Sequence, residues 1–188
     1  MVTYAAAVHF FLIPSEFTFR DPSIPWRIIG MLLISTVLIP VTALLFLRKT
    51  GMIKTMQIED QKERNWPLLI TALIYFGSFY IIQKSGIPVF IQLFTLGATL
   101  GILISLGINL KWKISLHMIG MGGACGGMAV EMLLLQVGDP IILGVLFLLA
   151  GLLGTARLYL QAHSPAQIFA GFFTGFAIQF GLMFLMLS

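Results

Sequence analysis

Charge is what this sequence has least of. Of its 188 residues only 10% carry Asp, Glu, Lys or Arg, and only seven are acidic. A chain that is 59% hydrophobic with so few charges does not make a soluble domain of this size. One cysteine, Cys125, excludes an internal disulfide. Three histidines without matched carboxylates give no metal-ligand pattern, and no cofactor is expected. No basic stripe is present to bind nucleic acid, since the net charge of +4 comes from residues scattered in short connections. The first apolar stretch has neither a basic flank nor a small-residue cleavage site, so no cleavable signal peptide is expected. The run "GMGGACGG" is not followed by Gly-Lys-Ser/Thr, which removes a phosphate loop.

What is there is apolar length. Seven hydrophobic segments fall at about 1–14, 26–47, 67–83, 88–110, 114–136, 140–160 and 165–187. Most match the ~20 residues that cross a ~30 Å hydrocarbon core. The first, interrupted by His9 and Pro14, reads as a span or as an interfacial helix. The expectation is one all-α domain over 1–188, a polytopic transmembrane bundle of six to seven membrane helices. Pro67, "KSGIP" and "GDP" punctuate it. The pairs Gly122/Gly126, Gly123/Gly127 and Gly171/Gly175 read as close helix-packing faces.

Parity then groups the polar connections. Two spans separate the loop 48–66 from "KWKISLH", and two more separate that from "ARLYLQAH", so all three share one membrane face. That face holds eight of the eleven Lys and Arg residues, which makes it cytoplasmic by the positive-inside rule.

Two of these connections carry chemistry. In "TARLYLQAHSPAQ", Arg157 and His163 are about 600° apart on a continuous helix, so a break must fall between them to bring them together. "SPAQ" supplies one: Ser164 as N-cap, Pro165 as first helical residue, and Gln167 closing a capping box. His163 then sits beside a helix N-terminus, which attracts anions, and Arg157 offers a fork suited to phosphate. In "KISLH", Ser115 and His117 open another helix on the same side. Lys62 and Arg64, in "DQKERNWP", add cations. Interfacial anchoring, helix capping and positive-inside topology are the competing readings of these residues. A set of two histidines, an arginine and a serine can hold a phosphoryl group, attack it and protonate its leaving oxygen.

At these residues the chain resembles the type-2 phosphatidic acid phosphatase superfamily. "ARLYLQAHSPAQIFAG" is similar to that family's SRxxxxxHxxxD motif, "ISLH" to PSGH, and "KERNWP" lies where KxxxxxxRP is expected. The resemblance implies a helical bundle of phosphatidic acid phosphatase type, in a bacterial inner membrane, acting without metal on a lipid or isoprenoid phosphate or pyrophosphate. It implies that His163 is the nucleophile, that His117 protonates the leaving group, and that Arg157, Ser115, Lys62 and Arg64 hold phosphate oxygens. Ala156, Ile114 and Leu116 depart from the motifs, Lys62 and Arg64 stand at altered spacing from KxxxxxxRP, and Gln167 stands where the family has an aspartate. A weak or non-catalytic member, binding lipid phosphate or serving as a subunit beside other membrane proteins, is the alternative.

Overall fold

The computed structural model describes residues 23–54, 58, 60–136 and 139–188. The expected first segment, about 1–14 with His9, lies outside them. Among the described residues the chain is all-helical, without strand. Helix α1 covers Ser23–Lys49 and contains a π-turn at Ile34–Leu38. Helix α2, Asn65–Lys84, is entered through a 3-10 turn at Lys62–Arg64. Helix α3 is Val89–Asn109. Helix α4 is Leu116–Val130, continued by a π-turn at Glu131–Leu135. Helices α5, Pro140–Tyr159, and α6, Pro165–Leu187, complete the bundle.

Five of these (α1, α2 with its entering turn, α3, α5 and α6) are long and apolar enough to cross a membrane. The protein is an integral membrane protein. Exposed leucines and phenylalanines such as Leu148, Leu152, Phe173 and Leu185 cover the outside, where acyl chains take the place of water. Local signals fix the ends. Asp139 accepts a hydrogen bond from the Ile141 N–H at 2.8 Å, with Pro140 opening α5. Ser164 and Gln167 form the capping box of α6, with Pro165 at its first position.

Helices α3, α4 and α6 pack at the centre, with α1 against α2 on one side and α5 against α4 on the other. The closest pairing is α4 with α6, and glycine permits it. A Cβ at Gly122 would land on the carbonyl oxygen of Phe172, and one at Gly175 on that of Ile119. Each helix therefore presses a glycine into the other's backbone, the approach that small residues allow inside membranes. An apolar core lies at the end remote from the polar loops, built from residues such as Leu32, Ile82, Phe90, Val130 and Met183.

Hydroxyls inside the bundle are satisfied locally. Thr36, Ser78, Thr95 and Thr99 each donate to the carbonyl one turn earlier, at 2.7–2.8 Å. That pattern makes the exception at Ser115 informative.

Candidate functional site

The three polar connections meet at one end of the bundle. Their meeting is made by hydrogen bonds between residues more than forty positions apart. The Asn109 side chain, at the end of α3, donates to the Gln61 carbonyl at 2.8 Å and to Asn65 Oδ1 at 2.9 Å. The Gln61 amide donates in return to the Asn109 carbonyl. This lock ties the start of α2 to the end of α3. Arg64, 8% exposed, reaches from the entering turn to the Ile114 carbonyl, at 3.3 and 3.4 Å from its two terminal nitrogens. Ile114 precedes the N-cap of α4, so Arg64 joins α2 to α4. The Ser115 N–H donates to the Gln167 carbonyl at 3.4 Å, joining α4 to α6.

Arg64 and Lys62 part company here. On a 3-10 turn, residues two apart do not share a face. Arg64 goes inward, while Lys62 is exposed and its backbone N–H donates to Asp60 at 2.8 Å. The nearby acid Glu63 pairs with Lys54 at 3.6 Å and accepts its backbone N–H at 2.9 Å. Neither Arg64 nor Arg157 has a carboxylate at ion-pair distance among the described residues.

Helix α5 ends at Tyr159, and Gln161, at φ 51°, turns the chain in the left-handed conformation that closes many helices. This is the break that the spacing of Arg157 and His163 requires. Arg157 is half-buried, and its Nε is buried with no partner among the described residues. Arg64 and Arg157 are near enough to act on each other electrostatically, and both act on His117 and His163. Ser115 is fully buried, and its Oγ has no partner among the described residues. His117 follows in the first turn of α4 and is exposed.

His163 is 8% exposed, and its Nδ1 lies 3.1 Å from Gln167 Oε1. That oxygen already accepts the Ser164 N–H at 3.1 Å. Burial is the main force on the ring, and with the charges of Arg64, Arg157 and Lys113 it outweighs the Gln167 hydrogen bond. Together they push the imidazole down to about 4. The ring is therefore neutral at pH 7. Because its neighbour is an acceptor, Nδ1 carries the proton, which leaves Nε2 with a free lone pair.

The arrangement gathers two guanidinium groups, two imidazoles and a buried hydroxyl, with no carboxylate paired to the two guanidinium groups among the described residues. Among the described residues no three His, Cys, Asp or Glu side chains gather as metal ligands do. Like charges brought together in a partly dry site repel unless an anion joins them.

Sequence reasoning missed Asn109, Asn65 and Gln61. An asparagine at a helix end reads as an ordinary cap, and nothing local marks its partners. Comparison with known protein families, with curated proteins and with solved structures finds no match for this chain.

Proposed function

We propose that this protein is a membrane phosphatase-like protein of the phosphatidic acid phosphatase type. In this reading the cationic cluster at the polar end receives the phosphate or pyrophosphate of a lipid or isoprenoid carrier. The six described helices belong to the family's six-to-seven-helix bundle, and the membrane is the bacterial inner membrane. The observation that carries the reading is the pair of guanidinium groups, Arg64 and Arg157, set near His163 with no carboxylate at ion-pair distance among the described residues. Phosphate supplies the missing negative charge and the acceptors for their donors.

The chemistry follows from the groups present. Arg64, Arg157 and the Ser115 hydroxyl hold the non-bridging oxygens, and Lys62 adds charge at the rim. His163 Nε2 attacks phosphorus, and the bond from phosphorus to the lipid oxygen breaks. His117, whose pKa burial and the two arginines lower, becomes protonated once the phosphate's charge offsets those arginines; it gives its proton to that oxygen, and the lipid alcohol (or lower phosphate) leaves. Water then attacks the phosphohistidine, His117 takes up the water's proton, and inorganic phosphate departs. His163 carries the lone pair this needs, and Gln167 orients the ring.

One observation favours a second reading, in which the site binds lipid phosphate and turns it over slowly or not at all, alone or beside other membrane subunits. The group behind His163 is an amide, which orients imidazole but does not stabilise the cation that forms during phosphoryl transfer. Trapping separates the two. Protein incubated with a ³²P-labelled isoprenoid phosphate and quenched in base should carry alkali-stable label on His163. Label on another residue contradicts the assigned nucleophile, and absence of label on folded protein favours the binding reading.

A further inference from the structure

Beyond the polar end, the bundle holds a cavity of about 300 Å³ that the phosphate chemistry does not use. Helices α2, α3, α4 and α6 wall it, with Leu44 of α1 and Ile58 also touching it. Neither histidine lines it, nor do Arg157 and Ser115. Arg64 does, so this one side chain belongs both to the cavity wall and to the cationic cluster.

The wall is chemically quiet. Thr71 spends its hydroxyl proton on the Pro67 carbonyl at 2.7 Å, and Tyr75 donates its own to the Thr36 carbonyl at 3.1 Å. Gln179 directs its amide to the Leu93 carbonyl at 3.2 Å. With these donors committed to backbone, the cavity presents mainly hydrocarbon and glycine faces. A polar solute gains nothing there, and an apolar one does.

Its shape is long rather than round. The lining positions on α2 run from Arg64 to Tyr75, about 16 Å of helix at 1.5 Å per residue. On α3 the lining positions reach Phe94, about 22 Å below Asn109, the residue level with Arg64. The cavity therefore reaches well past the middle of a ~30 Å hydrocarbon core. Its volume is at the small end of ligand pockets, which run from ~300 Å³ upward. Spread over that length, it takes one chain abreast and not two.

We propose that this cavity seats a single hydrocarbon chain of an anionic amphiphile, held head-first by Arg64, and that its deep end around Ala98, Phe94 and Gln179 limits the length of that chain. The inference rests on the phosphate reading for the choice of head group. The seat for the chain comes from the cavity alone. Gly97 marks the tightness of the deep end, since a Cβ there would strike the Gln179 side chain.

The test is native mass spectrometry of the detergent-purified full chain with octyl, dodecyl or hexadecyl phosphate, and with inorganic phosphate alone. Wild type should bind more tightly as the alkyl chain grows and bind inorganic phosphate least. Ala98→Phe fills the deep end. It should weaken hexadecyl phosphate by about tenfold or more while leaving octyl phosphate unchanged. Retained octyl binding shows that the variant is folded. Ala124→Leu, on a different helix of the same wall, should act in the same direction if Ala98→Phe fails to fold. Arg64→Gln should weaken all three alkyl phosphates together. Equal binding of the three lengths by wild type, or loss by Ala98→Phe and Ala124→Leu that ignores length, overturns the proposal. Length-dependent binding by a protein that never releases phosphate upholds the chain seat and contradicts only the hydrolytic reading.

Discussion

Gly175→Ala should cost this protein its fold, while Gly181→Ala, six residues further along the same helix, should be harmless. The chemical change is identical and the surroundings decide the outcome. At Gly175 the new methyl would meet the Ile119 carbonyl oxygen, with that residue's Cα and carbonyl carbon beside it. All three are backbone atoms of a packed helix, so no rotamer change relieves the contact. At Gly181 nothing lies within 4 Å. Overpacking that side chains can absorb costs about 1–3 kcal/mol. Here α4 and α6 must move apart, and the matching contact of Gly122 against Phe172 is lost with them. The cost becomes a large share of the ~5–15 kcal/mol that typically stabilises a domain. At Gly181 alanine removes backbone freedom from the unfolded chain and should be neutral or stabilise by about 0.4–1 kcal/mol. Size-exclusion profiles and thermal melts of the two variants check this. A well-folded Gly175→Ala protein would show that α4 and α6 do not meet as described. The functional stake is direct, because this contact also holds Ser115, and with it the start of α4 that carries His117, against the entry to α6.

The second large effect is a gain. Gln167→Glu should raise phosphate release by about a hundredfold, within the range that positioned acid–base groups supply. Glutamate is isosteric with glutamine, so it keeps the reach to the Ser164 N–H and to His163 Nδ1, each now 3.1 Å from Gln167 Oε1. Glutamate is also a standard partner in a capping box and suits the positive end of the helix dipole. What changes is charge. A carboxylate stabilises the imidazolium-like ring that develops as Nε2 attacks, as the buried aspartate of a serine protease does for its histidine. The same charge should lift the His163 pKa from about 4 toward the ordinary histidine range, because an adjacent anion favours the protonated ring. Histidine nitrogen shifts followed by NMR against pH give that readout independently of turnover. A raised pKa without faster release would mean that imidazolium stabilisation is not what limits the protein. An unchanged pKa would mean that Gln167 does not face His163.

Much of the bundle was legible because lipid imposes a simple rule on backbone and side chains alike. The last helix begins at Pro165 because Ser164, Pro165 and Gln167 are a complete start signal within four residues. The glycine faces of α4 and α6 were legible for a similar reason, since residues four apart share a helix face. The π-turns at Ile34–Leu38 and Glu131–Leu135 were not, because neither stretch carries a residue type that demands one. At the site, parity alone set the polar loops on one side. It gave no account of what holds them there. The hydrogen bonds from Asn109 to Gln61 and Asn65, and from Arg64 to the Ile114 carbonyl, join positions far apart in sequence, and no local pattern encodes such pairings. The sequence reading also treated Lys62 and Arg64 as equivalent cations, whereas a single tight turn buries one and exposes the other. The apolar cavity had no sequence signature, since its walls use the same residues as the packed interior.

The central claim is that His163 takes a phosphoryl group from a lipid or isoprenoid phosphate in a pocket that needs no metal. The most direct measurement is release of inorganic phosphate from a small panel of such compounds, in detergent and in the presence of a chelator, by wild type and by His163→Ala. Slow release by wild type that disappears in a folded His163→Ala protein is the predicted result. Release that survives in His163→Ala, or none by folded wild type from any member of the panel, would contradict it.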